Sequence, residues 1–482
     1  MRRWQELLLL CIILVAGFTV RLYRFNNPVA DWHSWRQADT SSVSRNFVKY
    51  GFDLLHPRME NISNVQSGLD NPQGYFFAEF PLYNAAQAGL YVLFHHFTIE
   101  EWGRLVTIVV SLCSTLFLYL LGKRYMGRFG GFLAAFFFAF VPYNIYYSRV
   151  ILPDPSMVAA TLGAIYFLDR AFRAKNTYRF VVFFLISLVL SVLALLFKPY
   201  AIFFLFPTMI YQAYQRYGWR LFQHIELWAY AILAVIPLGL WRLWMLQYPA
   251  GIPANAWLFN AGNIRFTGAY FYWLFADRLG RLILGYWGLA IVFLGLLWTK
   301  RKEYGFFLSF LVGSLLYLVV IARGNVQHDY YQILIVPTLA LFFGLGGVLL
   351  THLFDQFTHK WVGFGLLTVA ILFMLGFGWY NVRSYFDINN PDIVIAGKVV
   401  DRLTPPDAKV VALYGGDSSF LYQTNRQGWA SLEKPLSQLI TMGANYMIIA
   451  DPTPNDFSGF GKKYKIVASS SAYLLLNLTQ KQ

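Results

Sequence analysis

Apolar residues come in long uninterrupted runs separated by short polar stretches, and the lengths of those runs set the architecture. Runs of about 18 residues recur, each enough to cross a hydrocarbon core ~30 Å thick as a helix. They predict eleven spans, near residues 7–25, 104–122, 129–147, 155–171, 180–197, 199–214, 226–246, 283–298, 304–322, 331–350 and 361–380. The stretch 82–98 is also apolar, but Asn84, Gln87, His95 and His96 interrupt it. It is expected to lie along the interface as an amphipathic helix. Past Tyr380 the pattern changes. Short apolar runs at 409–413, 445–450, 464–467 and 473–478, bounded by Gly, Pro, Asp or Ser, read as strands, and 393–403 and 436–442 read as helices between them. The expected fold class is an all-α polytopic membrane domain over residues 1–380, with interfacial helices in the loop 26–103. A small α/β domain outside the membrane is expected over 381–482.

Composition agrees with a membrane chain. Hydrophobic residues make up 57% and charged residues 13%, about half the ~25% of a soluble domain. In a soluble protein a net charge of +15 would suggest nucleic acid. Here the basic residues collect in alternate short loops, at Arg2 and Arg3; Lys123, Arg124 and Arg128; Arg173, Lys175 and Arg179; Arg216 and Arg220; Lys300, Arg301 and Lys302; and Lys360. That asymmetry places these loops and the N-terminus inside and leaves no reason for a nucleic-acid partner. The first apolar run follows two arginines but has no small-residue cleavage site, so it is expected to be a retained span. Cys11 and Cys113 both fall in apolar runs and are expected in the core, with no disulfide or thiolate metal site. His33, His56, His95, His96 and His328 show no ligand spacing, so no metal centre is expected.

With this orientation the unusual polar residues fall on the outer side. They lie in the loop 26–103, the turn 148–154, Lys198, the loop 247–282 and the turn 322–331. The orientation rests on the basic loops alone, so this convergence is a separate observation and argues for one site at the outer surface. The richest stretch opens with Asp31-Trp32-His33-Ser34-Trp35-Arg36-Gln37-Ala38-Asp39 and closes with Glu79-Phe80-Pro81-Leu82-Tyr83. Transfer of a sugar needs a carboxylate to take the acceptor's proton or to stabilise charge at the anomeric carbon. Asp31, Asp39 and Glu79 supply carboxylates. A departing phosphate needs cations, for which Arg36, Arg149, Lys198 and His328 are available. Plainer roles exist for each. Asp31 can cap a helix, and Asp39 and Glu79 can pair with arginines. Lys198 can snorkel to the headgroups, and Arg149 can pair with Asp154. His328, Tyr330 and Tyr331 can form an aromatic belt. Gly415-Gly416-Asp417-Ser418 reads as an ordinary turn, a lone glycine pair being weak support for a phosphate loop. A lipid or glycan transporter or flippase is the alternative class. It would need polar residues through the bilayer interior, which is nearly free of charge here.

The ordered set of motifs is Glu79-Phe80-Pro81-Leu82, Ser148-Arg149 through Pro153-Asp154, Phe197-Lys198-Pro199 and His328-Asp329-Tyr330-Tyr331. It resembles the GT-C glycosyltransferases, in the branch of protein O-mannosyltransferases and lipid A aminoarabinose transferases, over about residues 7–380. The resemblance implies a polyprenyl-phosphate sugar donor, such as an undecaprenyl-phosphate sugar. It further implies inverting transfer to a hydroxyl of a protein, lipid or glycan, with no nucleotide sugar; no metal or other cofactor is expected because neither the histidines nor closely spaced acidic residues form a ligand cluster. With the orientation set by the basic loops, the enzyme is expected in a bacterial inner membrane with its site and C-terminal domain on the periplasmic face; the resemblance itself does not account for the C-terminal domain. Aligned on Arg45, Phe47 and Gly51, the acidic pair of the family falls on Arg36 and Gln37. Asp39, three residues on, would share that helical face. It is therefore the first choice for catalytic carboxylate and Asp31 the second, with Arg36 and Arg45 expected to hold the pKa of Asp39 low. A Lys-Pro-Pro-Leu-like element of the family becomes Glu79-Phe80-Pro81-Leu82, so Glu79 is expected on sugar or acceptor. His33, Arg36, Asp154, Tyr330 and Tyr331 complete the expected binding set. Arg149, Lys198 and His328 are expected to converge on the donor phosphate.

Overall fold

The structure is a computed structural model that describes residues 2–299, 303–357 and 359–481, so the basic loop residues Lys300, Arg301 and Lys302 lie outside the described residues. Every expected span falls on helix. In chain order these are α1 (Arg3–Arg21), α2 (Ser34–Tyr50), α3 (Leu82–Leu93), α4 (Ile99–Phe140), α5 (Pro142–Tyr147), α6 (Asp154–Phe172), α7 (Thr177–Phe197), α8 (Ile202–Tyr217) and α9 (Ile225–Met245). After them come the short α10 (Trp257–Asn260) and α11 (Gly268–Phe271), then α12 (Gly288–Leu297), α13 (Tyr304–Val320), α14 (Ala322–Gln327), α15 (Val336–Phe357) and α16 (Lys360–Val382).

Six helical stretches among the described residues are long and apolar enough to cross a bilayer, or seven with the pair 268–283 and 288–297, bent by 116°, taken as one span. The difference from eleven has identifiable causes. The two segments expected at 104–122 and 129–147 share α4, which Gly127 breaks with φ 85°, a conformation that costs glycine little. Helices α8 and α13 run only 16 and 17 residues. Helix α6 carries Asp154, Asp169 and Arg170 at its ends. Helix α3, not one of the eleven, has 12 residues, about 18 Å at 1.5 Å per residue, too short to span. Cys11 and Cys113 are exposed rather than in the core, on helix faces turned away from the bundle.

The helices run between two polar ends. At one end Glu6 of α1 pairs with Lys123 and with Arg128, the latter at 2.8 Å. At the other end Arg21 of the same helix donates to Ser148 Oγ at 2.6 Å and to the Ala139 carbonyl at 2.8 Å. In the interior, α12 crosses α15 at glycines. A Cβ on Gly346 would stand 1.8 Å from the Ile291 carbonyl oxygen, so only a residue without a side chain lets the two backbones meet there.

Beyond α16 the chain forms α17 (Pro391–Leu403), β1 (Val410–Ala412), α18 (Ser418–Gln423), β2 (Gly428–Trp429), α19 (Leu436–Thr441), β3 (Tyr446–Ala450), β4 (Tyr464–Ser469) and β5 (Tyr473–Lys481). The expected strands and helices are all present, and α18, β2 and a single helical turn at Pro454–Asp456 are additional. The sheet order is β2-β1-β3-β5-β4, parallel across its first three strands, with β5 antiparallel to both β3 and β4. The first loop joins this sheet. Ile62 N–H donates to the Gly428 carbonyl at 2.9 Å and Gly428 N–H to the Glu60 carbonyl at 3.0 Å. The loop thus acts as a further edge strand and locks the C-terminal region onto α2.

Replacing Gly346 with valine forces α12 and α15 apart. Overpacking of this kind costs about 1–3 kcal/mol, so the detergent-solubilised variant is expected to unfold several degrees below the parent in a thermal melt. An unchanged melting temperature would contradict this helix crossing.

Candidate active site

Helix α2 is short of apolar residues, yet most of it is buried, and its polar side chains point into three regions. Arg36 and Asp39 face a cavity of about 740 Å³ whose walls also include Glu79, Lys198, Arg242 and Tyr330. Gln66, Tyr200, Trp257 and Tyr331 line the same cavity. Arg36 grips Glu79 through two hydrogen bonds of 2.6 and 2.7 Å. Burial pushes the Glu79 carboxyl up, but the charges of Arg36 and Lys198 outweigh it and hold the group below its usual range. Lys198 sits where α7 ends. It donates to Asp154 at 2.6 Å, and its ammonium lies 5.0–5.6 Å from the ring centres of Tyr200, Tyr330 and Tyr331. Such a cage suits a cation held away from water. An ammonium has three N–H donors, so Lys198 keeps donors free after binding Asp154.

Asp39 is placed differently from expectation. It pairs with neither arginine. Ser418, at the start of α18, donates to Oδ1 at 2.6 Å, and Gln66 donates to Oδ2 at 3.3 Å. Its pKa is raised rather than held low, to about 6. Burial is the main cause and the charge of Asp417 adds to it, against lowering by Ser418, Arg36 and Gln66. Arg45 does not help, because its guanidinium turns to Glu60 and Glu100, each at 3.1 Å. A carboxylate with a pKa near neutrality is a better base than an ordinary aspartate.

Asp31 and Arg149 do not line the cavity. They bind each other at 2.8 Å with no exposed side-chain surface, and Gln37 adds a 2.7 Å bond to Asp31. The local Arg149–Asp154 pair does not form, since each partner is taken elsewhere. The convergence of Lys198, Arg149 and His328 is therefore only partial. His328 packs 5.5 Å from Trp35 and 5.6 Å from Trp257, at the edge of the cavity. Burial first, then repulsion from His33, lowers its pKa to about 4. At pH 7 it is a neutral imidazole and offers a hydrogen bond rather than a cation. His33 lies behind, 2.6 Å from Asp329, which also accepts from Trp32, Tyr147 and Tyr385.

Two residues were not anticipated, Arg242 in the cavity wall and Ser418 behind Asp39. Arg242 lies in α9 within an expected span, and no ion pair among the described residues joins it. A lone arginine in an apolar run is itself a sign of function, and Trp241-Arg242-Leu243 carries that sign. Ser418 had no such sign, because nothing local to Gly415-Gly416-Asp417-Ser418 reveals that the turn docks on Asp39. The turn is otherwise ordinary: both glycines have positive φ and Asp417 caps α18.

Comparison with known proteins agrees with this architecture. Residues 78–244 match the dolichyl-phosphate-mannose-protein mannosyltransferase family. ArnT from Cupriavidus metallidurans bound to undecaprenyl phosphate is similar with a TM-score of 0.69 and 11% identity, covering 98% of both chains. Its apo structure gives 0.67 over 97% of both chains, again at 11% identity. The Archaeoglobus fulgidus oligosaccharyltransferase complexed with zinc and sulfate gives 0.57 at 12% identity, covering 90% of this chain and 67% of that one. No curated protein matches the sequence. The fold is that of the GT-C glycosyltransferases, and the protein is a membrane protein of that architecture.

The buried pair makes one expectation sharp. Asp31→Ala leaves Arg149 buried without a counter-charge, its remaining bonds going to the Tyr23 and Arg24 carbonyls, a loss of about 3–5 kcal/mol for a buried pair. The variant is expected to express poorly and melt far below the parent. An Asp31→Ala protein of parental stability would refute a structural role for this pair.

Proposed function

We propose that this protein is an inverting glycosyltransferase that moves a sugar from a polyprenyl-phosphate donor to an acceptor hydroxyl at the outer membrane surface. The observation that carries the reading is the cavity itself. It joins a buried carboxylate of raised pKa, Asp39, to two cations with free donors, Lys198 and Arg242. The likeness to an ArnT that binds undecaprenyl phosphate supports the donor class.

In this reading Lys198 and Arg242 hold the phosphate. Charged hydrogen bonds stabilise it as the bond to the anomeric carbon breaks. Glu79, oriented by Arg36, accepts from sugar or acceptor hydroxyls. Asp39 takes the proton from the attacking acceptor oxygen on the face opposite the phosphate, so the anomeric centre inverts without a covalent intermediate. Ser418 and Gln66 aim the Asp39 carboxylate. No metal or further cofactor enters the scheme. The basic residues Lys123 and Arg128 pair with Glu6 near the start of α1, at the opposite end from Arg21 and Ser148, which supports an outer position for Asp39 and for residues 381–482.

The decisive experiment is to offer a panel of radiolabelled polyprenyl-phosphate monosaccharides to membranes containing the protein and to follow the label. Movement of label to a hydroxyl acceptor is expected. Passage of intact lipid across the bilayer without transfer would favour a transporter instead. Lys198→Ala and Arg242→Met are each expected to weaken donor use by one to two decades, from ~1.5–3 kcal/mol per charged contact. Because Asp39 acts as its carboxylate, kcat/KM should climb as pH rises through about 6 and level off above it. Asp39→Asn should erase that limb and cut turnover ~10²–10⁴-fold. A variant with the parental pH profile would remove Asp39 from the mechanism.

A further inference from the structure

Behind Asp39, on the side away from the large cavity, lies a second and far smaller space of about 10 Å³. Its walls include Asp39, Ser42, Glu60, Asn61, Ser418 and Tyr422. That is the accessible space of a single water. Two atoms of its wall residues, Glu60 Oε2 and Asn61 Nδ2, are buried and find no hydrogen-bond partner among the described residues. Leaving such atoms unpaired costs about 1–3 kcal/mol each. The surroundings offer two carboxylates as acceptors and one amide as donor, the complement of one water molecule. A metal cation would suit the carboxylates but meet the Asn61 N–H.

The other oxygen of Glu60 leads onward. It lies 3.1 Å from Arg45 and 3.5 Å from Lys49, and Ser42 Oγ accepts from Glu60 N–H at 2.6 Å. Arg45 and Lys49 belong to the wall of a separate polar cavity of about 570 Å³ between the first loop, α4 and the C-terminal region. Asp39, Ser42, Asn46 and Lys49 follow one stripe of α2, so a polar line passes along the helix from one cavity to the other.

We propose that the small space holds a water that links Asp39 to Glu60, and that the acceptor's proton leaves through it to Lys49 and the second cavity. The proposal rests on sugar transfer with Asp39 as base. In sequence, the acceptor O–H bond breaks and its proton joins Asp39, while the sugar–phosphate bond breaks and the sugar–acceptor bond forms. Asp39 then gives a proton to the water, which passes one to Glu60 Oε2. Lys49 releases a proton to solvent in the second cavity and takes the one on Glu60, returning every group to its starting state. Burial lowers the pKa of Lys49 from its ordinary value, which favours this release. Such a route lets the base reset while lipid, sugar and acceptor still fill the large cavity.

Two measurements on the full chain in nanodiscs test this. A high-resolution cryo-EM map is expected to contain one water within hydrogen-bond distance of Asp39, Glu60 and Asn61. With the sugar donor found in the panel above, Lys49→Met is expected to lower kcat about ten- to a hundredfold, at or below the low end of acid–base effects. Donor KM should be unchanged, and added methylamine should restore the rate. Asn61→Leu fills the water space and should be slow without being restored. A map lacking that water, parental turnover of Lys49→Met, or a slow Lys49→Met that methylamine leaves slow overturns the relay. Parental turnover of Asp39→Asn would instead overturn the catalytic reading on which the relay rests.

Discussion

A helix made of Ser-Trp-Arg-Gln-Ala-Asp-Thr-Ser-Ser-Val-Ser-Arg-Asn-Phe puts only a few apolar side chains into the core, chiefly Val43 and Phe47 against Met59 and Phe76, yet α2 is held against three other parts of the molecule. Its position depends on hydrogen bonds made residue by residue. Arg36 holds Glu79, Gln37 holds Asp31, and Asp39 holds Ser418. Ser44 and Ser41 bond Gln87 of α3, and Asn46 donates to the Arg58 carbonyl. Arg45 spans Glu60 and Glu100 and lies 3.7 Å from the Tyr422 ring centre. In a low-dielectric setting each such bond is strong when satisfied and costly when broken. The helix is therefore fixed largely by contacts specific to each position, which holds the side chains of Arg36 and Asp39 in one arrangement at the cavity wall.

This explains which parts were readable beforehand. Apolar runs are set by the bilayer thickness, so helices fell where hydropathy put them, and the strands after Tyr380 declared themselves as short apolar runs bounded by turn residues. The grouping of Arg36, Asp39, Glu79, Lys198 and Tyr330 at one end of the bundle followed from the order of loops. Partner choice did not. The sequence ranked Asp39 ahead of Asp31 only through an alignment to a family pair, and it is the packing of Arg149 against one and Ser418 against the other that separates them. The pKa of Asp39 was misjudged for the same reason. Arg45 is near in sequence, but the helix turns it away, leaving burial to dominate. Arg242 was hidden by being counted as part of a span.

The two ends of the helix bundle use charge differently. Glu6 with Lys123 and Arg128, and Asp169 with Arg173, are ion pairs with partly exposed cations. Pairs of that kind anchor helix ends without constraining much else. At the other end the pairs Asp31–Arg149, Asp154–Lys198 and Arg36–Glu79 are buried. Buried pairs are poor sources of stability but hold their partners in one arrangement. That rigidity at one end defines the walls of the cavity.

The bond from Ser418 to Asp39 spans 379 residues of chain, and the order of synthesis gives it a meaning. A ribosome makes the carboxylate early and its hydroxyl partner late. While the membrane helices assemble, Asp39 has no α18 against it, and Arg45 has no Tyr422. The site becomes whole only when the last segment has folded onto the first loop. A truncated product or a chain still emerging carries the helices without Ser418 and Tyr422, so the surroundings of Asp39 and Arg45 take their final form only once the C-terminal region has docked.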